Sequence, residues 1–319
     1  MQEGLYMEYA KLGNTDIEVS KLCIGCMSFG KAGTMHDWTL DAQESEKVIK
    51  HALDLGINFF DTANCYSAGT SEEYLGQALK KNVARDKVVI ASKVYFNEGR
   101  LSKAAIEREI DGSLKRLGTD YLDLYIIHRF DFDTPIEETM GALADIVRQG
   151  KALYVGISNY DADQTRKALA VLKEHKVPCL IHQARYSMFD RWTEPDLLPV
   201  LKEEGVGMIA FSPLAQGLLT DKYLRGIPEN SRAAKSTGHL QTSQVTPEAV
   251  EKARKLNEVA ARRGQTLAEM ALAWLLKDER VTSVLIGASS VAQLMDNLKA
   301  LDNISFSGEE LQEIENILI

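Results

Sequence analysis

The sequence predicts a (β/α)8 barrel of parallel strands, a TIM-barrel architecture, with a β-hairpin before it and a helix closing its C-terminal end, as one domain over residues 1–319. Three observations lead there. Short β-branched runs alternate with amphipathic helical stretches at a spacing of roughly thirty residues, which implies parallel pairing because each helix serves as a crossover. Eight such strands can be read, the number a closed barrel needs. No G-x-G-x-x-G follows any of them, which favours closure over a doubly wound open sheet.

The elements follow in order. EYAKLG and IEVSKL flank a turn at Gly13–Asp16 and read as the hairpin. The barrel strands are LCIGCM (22–27), NFFDTA (58–63), VVIASKV (88–94), LDLYIIH (122–128), ALYVGIS (152–158), LIHQARY (180–186), GMIAFSP (207–213) and TSVLIGA (282–288). Continuous apolar runs such as DLYII suit strands covered on both faces. Helices are predicted at 41–55, 71–81, 102–117, 135–149, 161–175, 194–204, 247–278 in two pieces, and 291–301. In the first of them Val48, Ile49, Ala52 and Leu53 recur at helical spacing, and Gly56 supplies the stop. In 135–149, Pro135 stands early, acids fill the first turn and Gly150 ends it. The polar segment 215–246 breaks the rhythm, and so long a connection is usually functional or disordered.

Composition narrows the function classes. The chain is 45% hydrophobic and 26% charged, ordinary for a globular protein. A net charge of −9 argues against a general nucleic-acid or anionic-membrane surface. The start, MQEGLYMEYA, is no basic-then-apolar leader. The most apolar stretch, LAEMALAWLL (267–276), is too short to span a bilayer and contains Glu269. A cytoplasmic protein with no membrane and no nucleic-acid partner is expected. Cys23 and Cys26 form a lone C-x-x-C without a second ligand pair, so no metal site is predicted.

Chemistry in a barrel of this kind sits at the C-terminal ends of the strands. Strand two ends in Asp61, strand three in Lys93 and strand four in His128, at gaps of 32 and 35 residues, one strand-helix unit each. Tyr66 lies on the loop leaving strand two. A buried Lys93 needs a counter-charge, which Asp61 supplies. The ammonium is expected to pull the tyrosine pKa below its ordinary value, making Tyr66 a general acid toward an oxygen gaining charge. His128 adds a second hydrogen bond to that oxygen. The structural alternatives are a turn-capping aspartate and a satisfied core histidine. Cys65 stands beside Tyr66, and its thiol becomes oxidisable if Lys93 lowers its pKa too; a passive loop residue is the plainer reading.

The later strand ends carry no ionisable groups. They offer Ser158, Asn159, Gln183, Phe211, Ser212, Pro213, Gly287 and Ser289. Amides, hydroxyls and an aromatic face suit a bound neutral ring. GASSVAQLMDN places glycine and serines at a helix opening, where free N–H groups can hold phosphate. Lys222 and Arg232 in the long polar segment can close over it.

The segments FFDTANCY, ASKV, YIIHR, LYVGISNY, IHQARYS, AFSPLAQGLLTDKY and VLIGASSVAQLMDNL resemble the aldo-keto reductase superfamily from about residue 9 to 318. The nearest branch holds the bacterial L-glyceraldehyde 3-phosphate reductases and the β subunits of voltage-gated potassium channels. The resemblance implies a barrel that binds NADPH in extended form and reduces aldehydes or ketones to alcohols. It places the catalytic tetrad on Asp61, Tyr66, Lys93 and His128. It places cofactor contacts on Met27, Asp61, Ser158, Asn159 and Gln183 around the nicotinamide, and on Phe211, Ser212, Pro213, Leu214, Gln216 and Lys222 along the chain of the cofactor. Arg232, Gly287, Ser289, Gln293, Asp296 and Asn297 then surround the adenosine phosphate. The partner implied is a small-molecule carbonyl substrate; relatives form tetramers and octamers, so a homo-oligomer is the alternative to a monomer.

Three features depart from the pattern. Ser290 stands where the family often has a basic residue. The loop YFNEGRLSKAA is shorter than in the glyceraldehyde phosphate reductases. The chain stops at Ile319, with little tail to shape a substrate pocket. One alternative function is an NADPH-binding regulatory subunit of the channel type, in which Asn commonly replaces His128 and a long arm precedes the barrel. Another is a Schiff-base aldolase acting through Lys93, which the pairing with Asp61 disfavours.

Overall fold

The computed structural model of the chain describes residues 7–229, 231–234, 240 and 242–319, the side chains of Arg232 and Thr242 excepted. Its first element is the expected hairpin. β1 (Tyr9–Lys11) pairs antiparallel with β2 (Glu18–Ser20), Tyr9 opposite Ser20. The turn between them passes through Gly13 at φ 55, a left-handed conformation that suits glycine. Gly13 lies against Leu180, and the Ser20 amide donates to Asn58 Oδ1 just ahead of the second barrel strand. The hairpin thus covers the N-terminal mouth of the barrel.

The repeat follows as β3 (Leu22–Gly25), α1 (Ala42–Asp54), β4 (Phe59–Asp61), α2 (Thr70–Asn82), β5 (Val89–Val94), α3 (Lys103–Leu117), β6 (Leu122–Ile127), α4 (Ile136–Arg148), β7 (Ala152–Ser158), α5 (Ala162–Glu174), β8 (Cys179–Arg185), α6 (Leu197–Glu204), β9 (Gly207–Phe211), α7 (Pro247–Arg262), α8 (Leu267–Leu276), β10 (Val281–Gly287), α9 (Val291–Leu298) and α10 (Gly308–Leu318). The strands from β3 to β10 pair in parallel, and β10 bonds both β9 and β3 to close the barrel. Several boundaries are tighter than expected. The first barrel strand stops at Gly25 because Cys26–Ser28 turns into a 3-10 segment. The helix expected from 194 begins at Leu197, and the one expected to reach 301 becomes 3-10 at Lys299.

Alternation along the strands builds two cores. Cys23, Phe59, Val89, Ala91, Leu124, Ile126, Ile181 and Ile209 cluster inside the barrel, with Leu12 and Val19 of the hairpin against them. Ile24, Phe60, Ile90, Tyr125, Ile127, Val155 and Ile157 belong to the layer between barrel and helices. Adjacent side chains on a strand point to opposite faces, so Phe59 and Phe60 serve different cores. Truncating either fully buried ring to alanine would cost about 3–5 kcal/mol. The helices carry strong local signals as well. Asp41 with Glu44, Asp161 with Gln164, and Thr266 with Glu269 each form a capping box. The last pair explains a carboxylate in the otherwise apolar α8, whose residues are nearly all buried. Among the described residues no helix is long and apolar enough to cross a membrane.

The segment 215–246 holds 3-10 turns at Ala215–Gly217, Asp221–Tyr223, Arg232–Ala234 and Thr242–Gln244. Tyr223, Ala233 and Leu240 are buried together, with Leu218 and Val245 packed on them. The described part of this long connection therefore has a small core of its own.

Candidate active site

The inward phase of each strand continues beyond its last apolar residue. Asp61 is in phase with Phe59, Lys93 with Val89 and Ala91, and His128 with Leu124 and Ile126. Register pairs Asp61 with Ala91 and Lys93 with Ile126, so each polar residue stands one inward position further along its strand than the one before it, at the same end of the barrel. The result is a polar layer directly above the interior core. Lys93 Nζ, fully buried, donates to Asp61 Oδ2 at 2.6 Å, to the Thr62 carbonyl at 2.7 Å and to Tyr66 Oη at 3.3 Å. The ammonium also lies 4.8 Å from the centre of the Tyr66 ring. Gln183 Nε2 donates to the other carboxylate oxygen of Asp61 at 3.0 Å. The His128 ring stands edge-on to Tyr66, 5.8 Å between centroids.

Tyr66 reaches this layer through an unusual turn. Ser67, Ala68 and Gly69 follow it at φ 48, 54 and 91, three left-handed residues in succession. Non-glycine residues hold such angles only where the surroundings enforce them. Thr70 Oγ1 donates to the Ser67 carbonyl and accepts from the Lys31 amide. Gly30 packs against the turn so closely that a Cβ there would lie 2.3 Å from Ser67 Cβ. A second clamp holds the loop from its other side: Glu109 Oε2 accepts from Asn64 at 2.8 Å and from Asn97 at 2.7 Å.

Electrostatics corrects one expectation. Burial raises the Tyr66 phenol to about 12; Lys93 lowers it, but Asp61 and Cys65 add to the rise. The expected net fall does not occur, because the same burial that brings Tyr66 to Lys93 also removes water from a would-be phenolate. Tyr66 is accordingly a proton-bearing phenol at neutral pH, beside a cation that makes release of the proton less costly. Burial lowers the Lys93 ammonium, yet Asp61 and Tyr66 outweigh it and the net shift is upward. Burial raises the Asp61 carboxyl, while Lys93 and Gln183 oppose the rise. Burial, Lys93 and Arg129 all depress His128, so its imidazole is neutral. Cys65 also differs from the activated alternative: burial raises its thiol and Lys93 does not reverse it. All three N–H bonds of Lys93 are engaged, which removes the free amine an aldolase would need.

The remaining sequence-predicted residues form two groups at the same end of the barrel. Ser158 ends β7 and is buried, Asn159 follows at φ 58, and Gln183 is level with Ser158 on β8. Asn159 Nδ2 donates to the His128 carbonyl and to Ser158 Oγ. Phe211 ends β9 half-buried, and Ser212, Pro213, Leu214 and Gln216 follow it, with Ser212 and Gln216 left-handed. Met27 lies half-buried in the 3-10 segment after β3, and Lys222 is exposed in the turn Asp221–Tyr223. In the second group Gly287 ends β10 with open space where a Cβ would stand. α9 opens at Val291 with Ser290 as its cap, and the Ser289 amide already donates to Gln293 Oε1 at 2.9 Å. That N–H is therefore engaged, contrary to the free N–H that the sequence pattern suggested. Asp296 pairs with Lys299, and Asn297 is buried. The backbone of Arg232 lies in a 3-10 turn, but its side chain is outside the described residues.

The sequence as a whole matches known proteins. Residues 21–319 match the Aldo/keto reductase family. The chain belongs to that family. It is 44% identical to the L-glyceraldehyde 3-phosphate reductase of Escherichia coli O157:H7, over 97% of this chain and 92% of that protein. It is 35% identical to a probable voltage-gated potassium channel subunit beta of Oryza sativa subsp. japonica, over 98% and 97%. It is 36% identical to an uncharacterized oxidoreductase of Bacillus subtilis, over 98% and 96%.

For an aldo/keto reductase these residues fit a nicotinamide cofactor. Ser158 and Asn159 offer hydroxyl and amide groups at one strand end, the Gln183 amide oxygen takes no hydrogen bond among the described residues, and Gly287 leaves open space for a group lying across β10. Sequence reasoning did not single out four residues that the structure places around the candidate site. Glu109 was hidden on an ordinary amphipathic helix, and Gly30 and Phe96 carried no motif. Arg129 was visible only as the residue after His128.

Proposed function

We propose that the chain is an NADPH-dependent reductase of aldehydes or ketones, with Tyr66 as the general acid. The observation that carries this reading is the Lys93 ammonium held between Asp61 Oδ2 at 2.6 Å and Tyr66 Oη at 3.3 Å. A bound nicotinamide supplies the hydride to the carbonyl carbon. Tyr66 gives its proton to the carbonyl oxygen, completing the alcohol, and Lys93 stabilises the phenolate left behind. Neutral His128 donates a hydrogen bond to the same oxygen and orients it. Asp61, fixed by Gln183, keeps Lys93 charged and in place.

Ser158, Asn159 and Gln183 would hold the carboxamide side of the nicotinamide, with Phe211 as a stacking face. Residues 212–216 and Lys222 would follow the pyrophosphate, and Arg232, Ser289, Gln293 and Asn297 would surround the adenosine phosphate. The resemblance to the L-glyceraldehyde 3-phosphate reductase of Escherichia coli supports an aldehyde as substrate class. A channel-type regulatory role is the weaker reading, because neutral His128 already completes the proton-transfer set.

Tyr66→Phe tests the proposal. Binding of NADPH, read by fluorescence quenching, should persist while turnover falls at least about a hundredfold, the low end for loss of a general acid. Near-normal turnover would overturn the assignment.

A further inference from the structure

One charge at the mouth of the site is not used by the chemistry proposed above. Lys93 and Asp61 neutralise each other, but Arg129, the residue after His128, is exposed and forms no hydrogen bond or ion pair with any described residue. Its neighbours differ. Arg100 pairs with Asp133 and Asp131, and Arg108 with Glu109. Arg129 instead lies over the Phe96 ring, 5.5 Å from its centroid. The same ring meets His128 edge-on at 5.0 Å. Phe96 is half exposed, so it forms a flat shelf with His128 at one side and an unneutralised guanidinium at the other.

Stacking on an aromatic face holds a guanidinium while leaving its N–H fork free in its own plane. That fork matches the two oxygens of a carboxylate or phosphate. An exposed arginine that merely covers apolar surface needs no such position beside the reacting group. We infer that Arg129 is a specificity-determining residue: it receives a carboxylate or phosphate carried by the carbonyl substrate, whose carbon chain rests on Phe96 while its oxygen reaches Tyr66 and His128. This inference rests on the reductase reading and deepens it by naming the substrate class, an anionic aldehyde or ketone.

The test uses the full chain as wild type, Arg129→Gln and Arg129→Lys. Three substrate pairs separate charge from carbon skeleton: 4-carboxybenzaldehyde with 4-nitrobenzaldehyde, succinic semialdehyde with butyraldehyde, and glyceraldehyde 3-phosphate with glyceraldehyde. In Arg129→Gln the ratio of kcat/KM, anionic over neutral, should fall about ten- to a hundredfold, mostly through KM, as for loss of one charge-assisted bond. Arg129→Lys should recover part of it. A fall in the carboxylate pairs alone or the phosphate pair alone tells which anion is read. An unchanged ratio overturns the inference, as does an equal loss on both members of every pair. So does a loss of NADPH affinity large enough to account for the change, which would put Arg129 on the cofactor. A second arm needs no turnover. Calorimetry should detect 4-hydroxymethylbenzoate binding that Arg129→Gln abolishes, with benzyl alcohol as control, and absence of that binding also counts against the site. The reductase reading fails separately, if wild type oxidises neither NADPH nor NADH with any of the six carbonyls.

Discussion

Replacing Lys93 by methionine separates the structural and chemical roles of the buried pair. In the wild type the two side chains are 0% and 1% exposed and joined at 2.6 Å. Methionine fills similar space but leaves Asp61 with one described hydrogen bond, from Gln183 at 3.0 Å. A buried carboxylate stripped of its cation costs about 3–5 kcal/mol, a large share of a typical native stability of ~5–15 kcal/mol. The carboxyl then escapes the penalty by taking up a proton. Its folded pKa rises above the unfolded value, so stability is retained at low pH and lost as pH rises through the folded pKa. Lys93→Met should therefore be less stable relative to wild type at pH 8 than at pH 5, read as urea midpoints. Adding Asp61→Asn removes the stranded charge and should restore several kcal/mol, since a neutral pair carries no such penalty. Turnover should behave differently: both variants should lose at least about a hundredfold, because each deprives Tyr66 of its ammonium. A Lys93→Met protein as stable as wild type at pH 8 would refute the buried-pair reasoning. A double variant with near wild-type turnover would refute the role of Lys93 in proton transfer.

Two further predictions follow from single residues. His182 is buried, its Nε2 meets the Tyr160 carbonyl at 2.9 Å and its Nδ1 has no hydrogen-bond partner among the described residues; burial lowers its pKa to about 4. The unfolded chain takes up that proton near pH ~6.5 and the folded chain refuses it, so stability should fall between pH 6.5 and about 4 by at most ~3 kcal/mol; His182→Gln should flatten this limb of a urea-midpoint profile, and an identical slope would exclude His182 as its source. Arg232→Ala should weaken NADPH binding about ten- to a hundredfold and NADH binding hardly at all, because a guanidinium can hold the 2′-phosphate through two parallel bonds; fluorescence titration of both cofactors checks it, and equal losses would remove Arg232 from that role.

The fold was legible because its signals are local and repeated. Helical spacing in 41–55, continuous apolar strands such as 122–127, and hairpin chemistry at Gly13 all act within a few residues. The fraying at Cys26–Ser28 and Lys299–Asn303 was not legible, since 3-10 turns are decided by what packs over them. At the site, strand-end spacing brought Asp61, Lys93 and His128 to the same end of the barrel. The two-residue alternation of a strand gave them a common inward face.

The sequence by itself determined which polar residues emerge at the strand ends, since strand length, phase and repeat are local properties. Only the tertiary structure decided what those residues do to one another. The upward shift of Tyr66 depends on how much water the barrel excludes around the phenol. The left-handed turn after Tyr66 depends on Gly30, which is remote in sequence and pressed against Ser67. Asp61 is oriented by Gln183, 122 residues away along the chain. Among the described residues Arg129 is left without a carboxylate partner while Arg100 and Arg108 find theirs. Desolvation, strain and unpaired charge are properties of the surroundings of a group, and those surroundings come into being only when distant segments meet.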